Sequence, residues 1–215
     1  MASQNFYKNK NIAIIGGSFG IGEELCRQLA KEGANLAIIA RSKDTIEDLS
    51  NQLPGNHFSI SCDISKKDDL DNLSKILFEK WSKIDLVIFC VGTYKPMSLG
   101  DFDLKTAKGI IDINFTSFFD LIDNLLPKFK ESKISHLAVI SSVAGYFGMP
   151  NSLAYGSSKA GLSNLTESLH YELKKYNSKV QLINPGFVKT RLTDQNDFTM
   201  PGIISAEKAA QRIIL

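Results

Sequence analysis

Short apolar runs alternate with longer stretches of helical spacing along the whole chain. Ile12–Ile15, Leu36–Ala40, Phe58–Cys62, Leu86–Val91, His136–Ile140 and Val180–Ile183 read as six strands. Most are continuous apolar runs, as expected for strands covered on both faces, whereas Phe58–Cys62 alternates. Between the first two, Ile21, Leu25 and Leu29 recur at one helical turn, and Gly33 stands where that helix should stop. Asp68 to Trp81 carries a further helical pattern with acidic residues at its start, where they suit the helix dipole. Thr106 to Phe129 and Ser157 to Tyr176 predict two longer helices. Strand and helix in regular succession predict an α/β, three-layer, doubly wound parallel sheet of six strands in the order 3-2-1-4-5-6. Ligands bind such sheets outside the carboxyl ends of the strands.

Composition narrows this picture. At 215 residues, 43% hydrophobic and 22% charged, the chain is expected to form one domain over residues 1–215. A net charge of +2 with mixed signs gives no footprint for nucleic acid. Cys26, Cys62 and Cys90 are widely spaced and read as reduced core thiols. His57, His136 and His170 have no metal-ligand spacing, so no metal is expected. The polar start, Met1 to Lys10, resembles no signal peptide, and no apolar run approaches the ~20 residues of a membrane span. A cytoplasmic protein without a membrane span is expected. The sequence ends at Arg212-Ile213-Ile214-Leu215, inside a helix begun near Ser205, which suggests a truncated chain.

Two local patterns carry chemistry. Directly after the first strand comes Gly16-Gly17-Ser18-Phe19-Gly20-Ile21-Gly22, leading into a helix. Bare backbone there allows a tight turn and close approach of a pyrophosphate, which the helix N-terminus attracts. At the end of the second strand, Ala40-Arg41-Ser42-Lys43 offers no acidic residue for the ribose hydroxyls of NAD. Arg41 instead suits the 2′-phosphate of NADP, with Lys43 adding charge nearby. The second pattern is Tyr155 followed by Lys159, about one helical turn on and therefore on the same face. A cation beside a phenol favours phenolate and lowers its pKa from ~10, suiting it to proton exchange with a carbonyl or alcohol oxygen.

With these patterns in place the chain resembles the short-chain dehydrogenase/reductase family over nearly all its length. The resemblance rests on Gly16/Gly20/Gly22, Asp63, Gly92, Asn114, Ser142, Tyr155/Lys159 and Pro185-Gly186, in that order. It implies a Rossmann-type NAD(P)-binding domain with an integrated catalytic site; Arg41 makes NADP rather than NAD the expected cofactor. It implies that Tyr155 is the general acid or base, that Lys159 lowers its pKa and bonds the nicotinamide ribose, and that Ser142 rather than Ser141 holds the substrate oxygen. Asn114 would help hold a water linking Lys159 to solvent. Ser18, Phe19 and Ile21 of the glycine turn, Asp63 and Ile64 at the adenine, and Gly92 would complete the cofactor contacts. Pro185, Gly186, Val188 and Thr190 would hold the carboxamide. A small carbonyl or alcohol substrate and a homodimer or homotetramer follow from the same resemblance.

The chain departs from the family pattern at three places. Ile15 and Cys90 are apolar where the family pairs polar groups; losing both partners is close to neutral, whereas losing one is costly. Phe19 occupies the place of a basic residue in some NADP-preferring members. No seventh strand is expected, which leaves the sixth as an edge. Thr193 to Ile204 is expected to form a mobile substrate lid, with Tyr94 to Phe102 and Tyr146 to Asn151 lining the pocket. The alternative reading is a non-catalytic nucleotide-sensing or scaffold protein on the same fold.

Overall fold

In the computed structural model, which describes residues 6–214, six strands form one parallel sheet. They are β1 (Asn11–Ile15), β2 (Asn35–Ala40), β3 (His57–Ser61), β4 (Leu86–Phe89), β5 (His136–Ile140) and β6 (Lys179–Ile183), in the order β3-β2-β1-β4-β5-β6. Met1 to Asn5, which open the polar start, and Leu215, which closes the final apolar run, lie outside the described residues.

The inner strands β1, β2, β4 and β5 are largely apolar because both faces of the sheet are covered, whereas the edge strands β3 and β6 carry polar residues. Ile12 and Ile14 of β1 point into one layer. They meet Leu25 and Leu29 of α1 (Gly20–Lys31), Ile46 and Leu49 of α2 (Lys43–Gln52) and Ala210 of α7 (Ala206–Ile214). Ala13 and Ile15 point into the other. There they meet Leu70, Leu73 and Leu77 of α3 (Lys67–Lys80), Leu121, Leu125 and Phe129 of α5 (Ser117–Lys130), and Leu162, Leu169 and Leu173 of α6 (Leu153–Lys174). Burying each such side chain contributes about 1.5–3 kcal/mol, so every helix is held by its apolar stripe. Asp68 and Asp69 do open α3, and Gly33 takes a φ of +82° just past the end of α1.

Three features differ from the expectation. The helix predicted over Thr106 to Phe129 is two helices, α4 (Leu104–Ile111) and α5, joined by a π-helical turn at Asp112–Thr116. The wider turn carries Asn114 into the interior, where it is fully buried. α2 was not expected between the second and third strands. Between Pro185 and α7, β7 (Val188–Lys189) and β8 (Ile204–Ser205) pair with each other and stand apart from the six-stranded sheet. They bracket the segment expected to be a lid, which contains a 3₁₀ turn at Thr193–Gln195. β6 lies at the end of the sheet order, as expected without a seventh strand.

β1 lies between β2 and β4, so the chain leaves it toward one side of the sheet and later resumes on the other. That reversal opens a crevice at the carboxyl ends of β1 and β4, the place where open α/β sheets take ligands.

Candidate active site

A cleft of about 420 Å³ occupies this crevice. Its floor at one end is the glycine turn. Gly16 has φ +92°, and a Cβ there would lie 2.5 Å from the Cys90 carbonyl oxygen. A Cβ on Gly22 would lie 2.1 Å from the carbonyl oxygen of Gly16. Neither position tolerates a side chain, and at Gly16 the turn presents bare backbone to the cleft. Phe19 caps α1 in an extended conformation and makes no side-chain cap hydrogen bond. The first-turn N–H groups of α1 therefore have no side-chain acceptor. The departures at Ile15 and Cys90 leave the junction intact, because the Cys90 N–H donates to the Ile15 carbonyl at 2.8 Å.

At the other end of the cleft, α6 brings Tyr155 and Lys159 to one face. The Lys159 Nζ is 5.9 Å from the centroid of the Tyr155 ring. Lys159 is 3% exposed, and its ammonium donates to the carbonyls of Ile140 (3.2 Å), the last residue of β5, and Val91 (3.4 Å), just beyond β4. α6 can begin ahead of Tyr155 because Ser152 caps it, its hydroxyl accepting from the Gly156 N–H at 3.1 Å. Ser142 lines the cleft together with Tyr155. Its Oγ accepts from the Ala144 N–H at 3.1 Å, which fixes the oxygen and leaves its proton to be donated outward. Ser141 is engaged elsewhere: it is buried, donates to the Lys159 carbonyl at 3.0 Å and accepts from Ser163 at 2.9 Å.

Burial dominates the titration of both groups. Burial pushes the Tyr155 phenol up, and the nearby Tyr94 and Cys90 groups push it further, against a smaller downward pull from Ser142. Lys159 is itself depressed by burial, to about 8, with Cys90 acting in the opposite direction. Tyr155 therefore holds its proton through the neutral range.

Asn114 does not line the cleft; it braces its wall from behind. Its Oδ1 accepts from the Thr93 N–H at 2.7 Å, and its Nδ2 donates to the Thr93 carbonyl (2.9 Å) and the Ser158 hydroxyl (3.0 Å). Gly22 likewise shapes the turn without lining the cleft. Ser18, Phe19, Gly20, Ile21, Arg41, Asp63, Ile64, Gly92, Pro185, Gly186, Val188 and Thr190 all line it. Asp63 accepts from the Ser65 N–H and hydroxyl at 3.1 and 2.7 Å. Desolvation favours its neutral form, but those bonds and the charges of Arg41 and Lys66 outweigh this and hold the carboxyl low. Lys43 points away, paired with Glu47 at 3.8 Å along α2; Ser42 lines the cleft in its place. Cys90 is a cleft residue rather than a core thiol; burial pushes its thiol up to about 11, against a downward pull from Lys159.

Neither Tyr94 to Phe102 nor Tyr146 to Asn151, the stretches expected to line the pocket, lines the cleft, whereas Arg191, which no motif marks, does. Tyr94 packs edge-on against Tyr155, with ring centroids 5.0 Å apart, and donates to Asn196 Oδ1 at 2.8 Å. Arg191 lines the glycine end, its guanidinium 3.7 Å from the centroid of the Phe19 ring.

Comparison with known proteins accords with this geometry. The family model described as short chain dehydrogenase matches residues 10–200. The chain belongs to the short-chain dehydrogenase family. An uncharacterized oxidoreductase of Myxococcus xanthus is 36% identical over 128 residues, 60% of this chain and 51% of that one. One from Staphylococcus epidermidis is 26% identical over 207 residues, covering 96% of this chain and 90% of the other. A 3-oxoacyl-(acyl-carrier-protein) reductase of Rickettsia conorii is 33% identical over 124 residues, 55% of this chain and 49% of the reductase. The chain thus spans about half the length of the Myxococcus and Rickettsia relatives. A crystal structure described as ribose-5-phosphate isomerase from Brucella melitensis superposes with a TM-score of 0.88 at 18% identity, covering 99% of this chain and 86% of that one; it is a likeness of fold. Short-chain dehydrogenases bind NAD(P), and the cleft fits such a dinucleotide. Its size is that of a small-molecule site, Gly16 leaves no room for a Cβ, and an uncapped helix N-terminus faces it. Among the described residues no helix is long and apolar enough to cross a membrane.

Proposed function

We propose that this short-chain dehydrogenase interconverts a small carbonyl compound and an alcohol, with NADP as its preferred cofactor. The observation that carries the reading is the convergence of Ser142, Tyr155 and Lys159 at one end of a cleft whose other end is the glycine turn, where Gly16 has no room for a Cβ. Gly16, Ser18, Gly20 and Ile21 would hold the diphosphate, Asp63 and Ile64 the adenine, and Arg41 the 2′-phosphate. Gly92, Pro185, Gly186, Val188 and Thr190 would hold the nicotinamide end. Bound NADP supplies the hydride chemistry.

In carbonyl reduction negative charge builds on the substrate oxygen. The Ser142 proton is free to be donated to it, and Tyr155, protonated at neutral pH, delivers the proton that completes the alcohol. Lys159, charged below about pH 8, lies behind the phenol and can restore its proton. Asn114 fixes Thr93 and Ser158 around that ammonium, the position from which it would order a connecting water. A cytoplasmic homodimer is expected. Phe119 of α5 is 49% exposed, while its neighbours Phe118 and Leu121 fill the core, so α5 keeps a free aromatic face for a second copy. Sedimentation should then give twice the chain mass.

The test is NADPH oxidation followed at 340 nm against a panel of small ketones and aldehydes. Turnover on at least one, with NADPH bound more tightly than NADH, is expected. Tight NADPH binding with no turnover on any compound would favour the nucleotide-sensing alternative, and equal affinity for both cofactors would remove the role given to Arg41.

A further inference from the structure

The Phe19–Arg191 pair stands apart from the residues assigned above. Arg191 is exposed and forms no ion pair with a carboxylate among the described residues. Its guanidinium nevertheless has a fixed station, stacked 3.7 Å from the centre of Phe19, which is 40% exposed. Phe19 is the N-cap of α1, so the guanidinium is parked at the positive end of that helix. A cation held beside uncapped N–H donors is electrostatically unfavourable unless an anion completes the set. The backbone that carries it is fixed as well. Thr190 comes so near the glycine turn that a Cβ on Gly20 would lie 3.0 Å from its Cγ2. Thr193 ties the segment down: its hydroxyl accepts from the Thr190 N–H at 3.0 Å and contacts the Val188 and Thr190 carbonyls at 2.8 and 3.0 Å. The segment after β7 therefore lies against the glycine turn and sets a guanidinium in the same cleft, beside the N-terminal end of α1.

We propose that Arg191, steered by the Phe19 ring, is a diphosphate-binding residue that adds a side-chain fork to the backbone donors of the glycine turn. The inference rests on the dinucleotide reading above. A guanidinium presents a planar fork of donors suited to phosphate oxygens. Stacking on an aromatic ring fixes that plane without consuming its N–H groups. Phe19 thus replaces the carboxylate that would ordinarily hold an arginine in place, and leaves its charge uncompensated for the ligand.

Dissociation constants measured by calorimetry on the full chain decide this. The probes are NADPH, ADP-ribose, which keeps the diphosphate but lacks nicotinamide and 2′-phosphate, and 2′-AMP, which has no diphosphate. Arg191→Ala should weaken NADPH and ADP-ribose alike by about 10-fold or more, the range of a charge-assisted hydrogen bond, and leave 2′-AMP unchanged. Arg191→Lys should recover part of the loss, since charge without a planar fork is a poorer match. Phe19→Ala should weaken ADP-ribose in the same direction by a smaller factor. Thermal midpoints within a degree or two of wild type show that the fold is kept. ADP-ribose binding by Arg191→Ala within twofold of wild type overturns the proposal, as does a loss confined to NADPH and 2′-AMP. Wild-type protein that binds neither NADPH nor ADP-ribose sinks the dinucleotide reading itself, an outcome distinct from the other two.

Discussion

Removing one oxygen from Tyr155 separates proton delivery from cofactor binding. Tyr155→Phe keeps the ring packed on Tyr94 and loses only the acid, so turnover should fall by roughly 10²–10⁴-fold while the NADPH dissociation constant stays within about twofold, an outcome that steady-state kinetics and calorimetry check together. The pH profile tests the neighbouring ammonium. Lys159 is charged below about 8 and neutral above it, and burial keeps Tyr155 protonated well past neutrality. The kcat/KM for carbonyl reduction should be flat below pH 8 and decline above it as the ammonium discharges; a rate that climbs through pH 9 would exclude Lys159 as the reserve of protons. The positions of Tyr155, Lys159 and Ser142 were legible because their spacing is fixed by one helix and by the end of one strand. The direction of the phenol's shift was not. It depends on how much water the fold removes from both groups, and sequence spacing says nothing about desolvation.

At the scale of elements, the inner strands were legible because burial on both faces leaves continuous apolar runs, and the edge strands through shorter or alternating ones; all six boundaries fall within a residue or two of those expected. α2 was not, since only Ile46 and Leu49 of its ten residues are buried in an otherwise polar stretch. The π-helical turn was also hidden: Asp112–Thr116 contains no glycine or proline to mark a change of helical type. Its cause is tertiary, through the bonds of Asn114 to Thr93 and Ser158. Asn114→Ala would strand the Thr93 N–H and carbonyl together. At roughly 1–3 kcal/mol for an unsatisfied buried group, a loss of about 2–3 kcal/mol is expected. For a chain of this size that lowers the thermal midpoint by roughly 5–10 °C, measurable by calorimetric or fluorescence melting. A midpoint unchanged within error would mean that backbone packing alone holds the turn. Arg191 belongs to the same scale: no motif marks it, and it reaches the site only because the segment after β7 folds back against the glycine turn.

For the whole molecule, the site's chemistry feeds back on stability. The fold exposes Lys159 only 3% and lowers its pKa from 10.5 to about 8. Between those two values the unfolded chain binds a proton at this position that the folded chain does not. Stability therefore rises with pH across that window as far as Lys159 is concerned. The buried thiols act with the opposite sign. Burial raises Cys62 to about 12, with Asp69 and Asp63 adding to it, and Cys90 to about 11 against the pull of Lys159. Above the ordinary thiol range the unfolded chain releases those protons first, so their contribution falls as pH rises. Tyr155, also raised, subtracts further above pH 10. Absolute stability curves mix these effects, whereas the difference between wild type and Lys159→Met isolates the lysine. Below pH 8 the variant should be the more stable of the two, because it no longer carries a desolvated charge. The gap should close progressively between about pH 8 and pH 10.5, as read from urea unfolding midpoints at matched ionic strength. A gap that stays constant across the window would mean that the two carbonyls bonded to the ammonium offset its desolvation, and that the fold bears no cost for holding a cation beside the phenol.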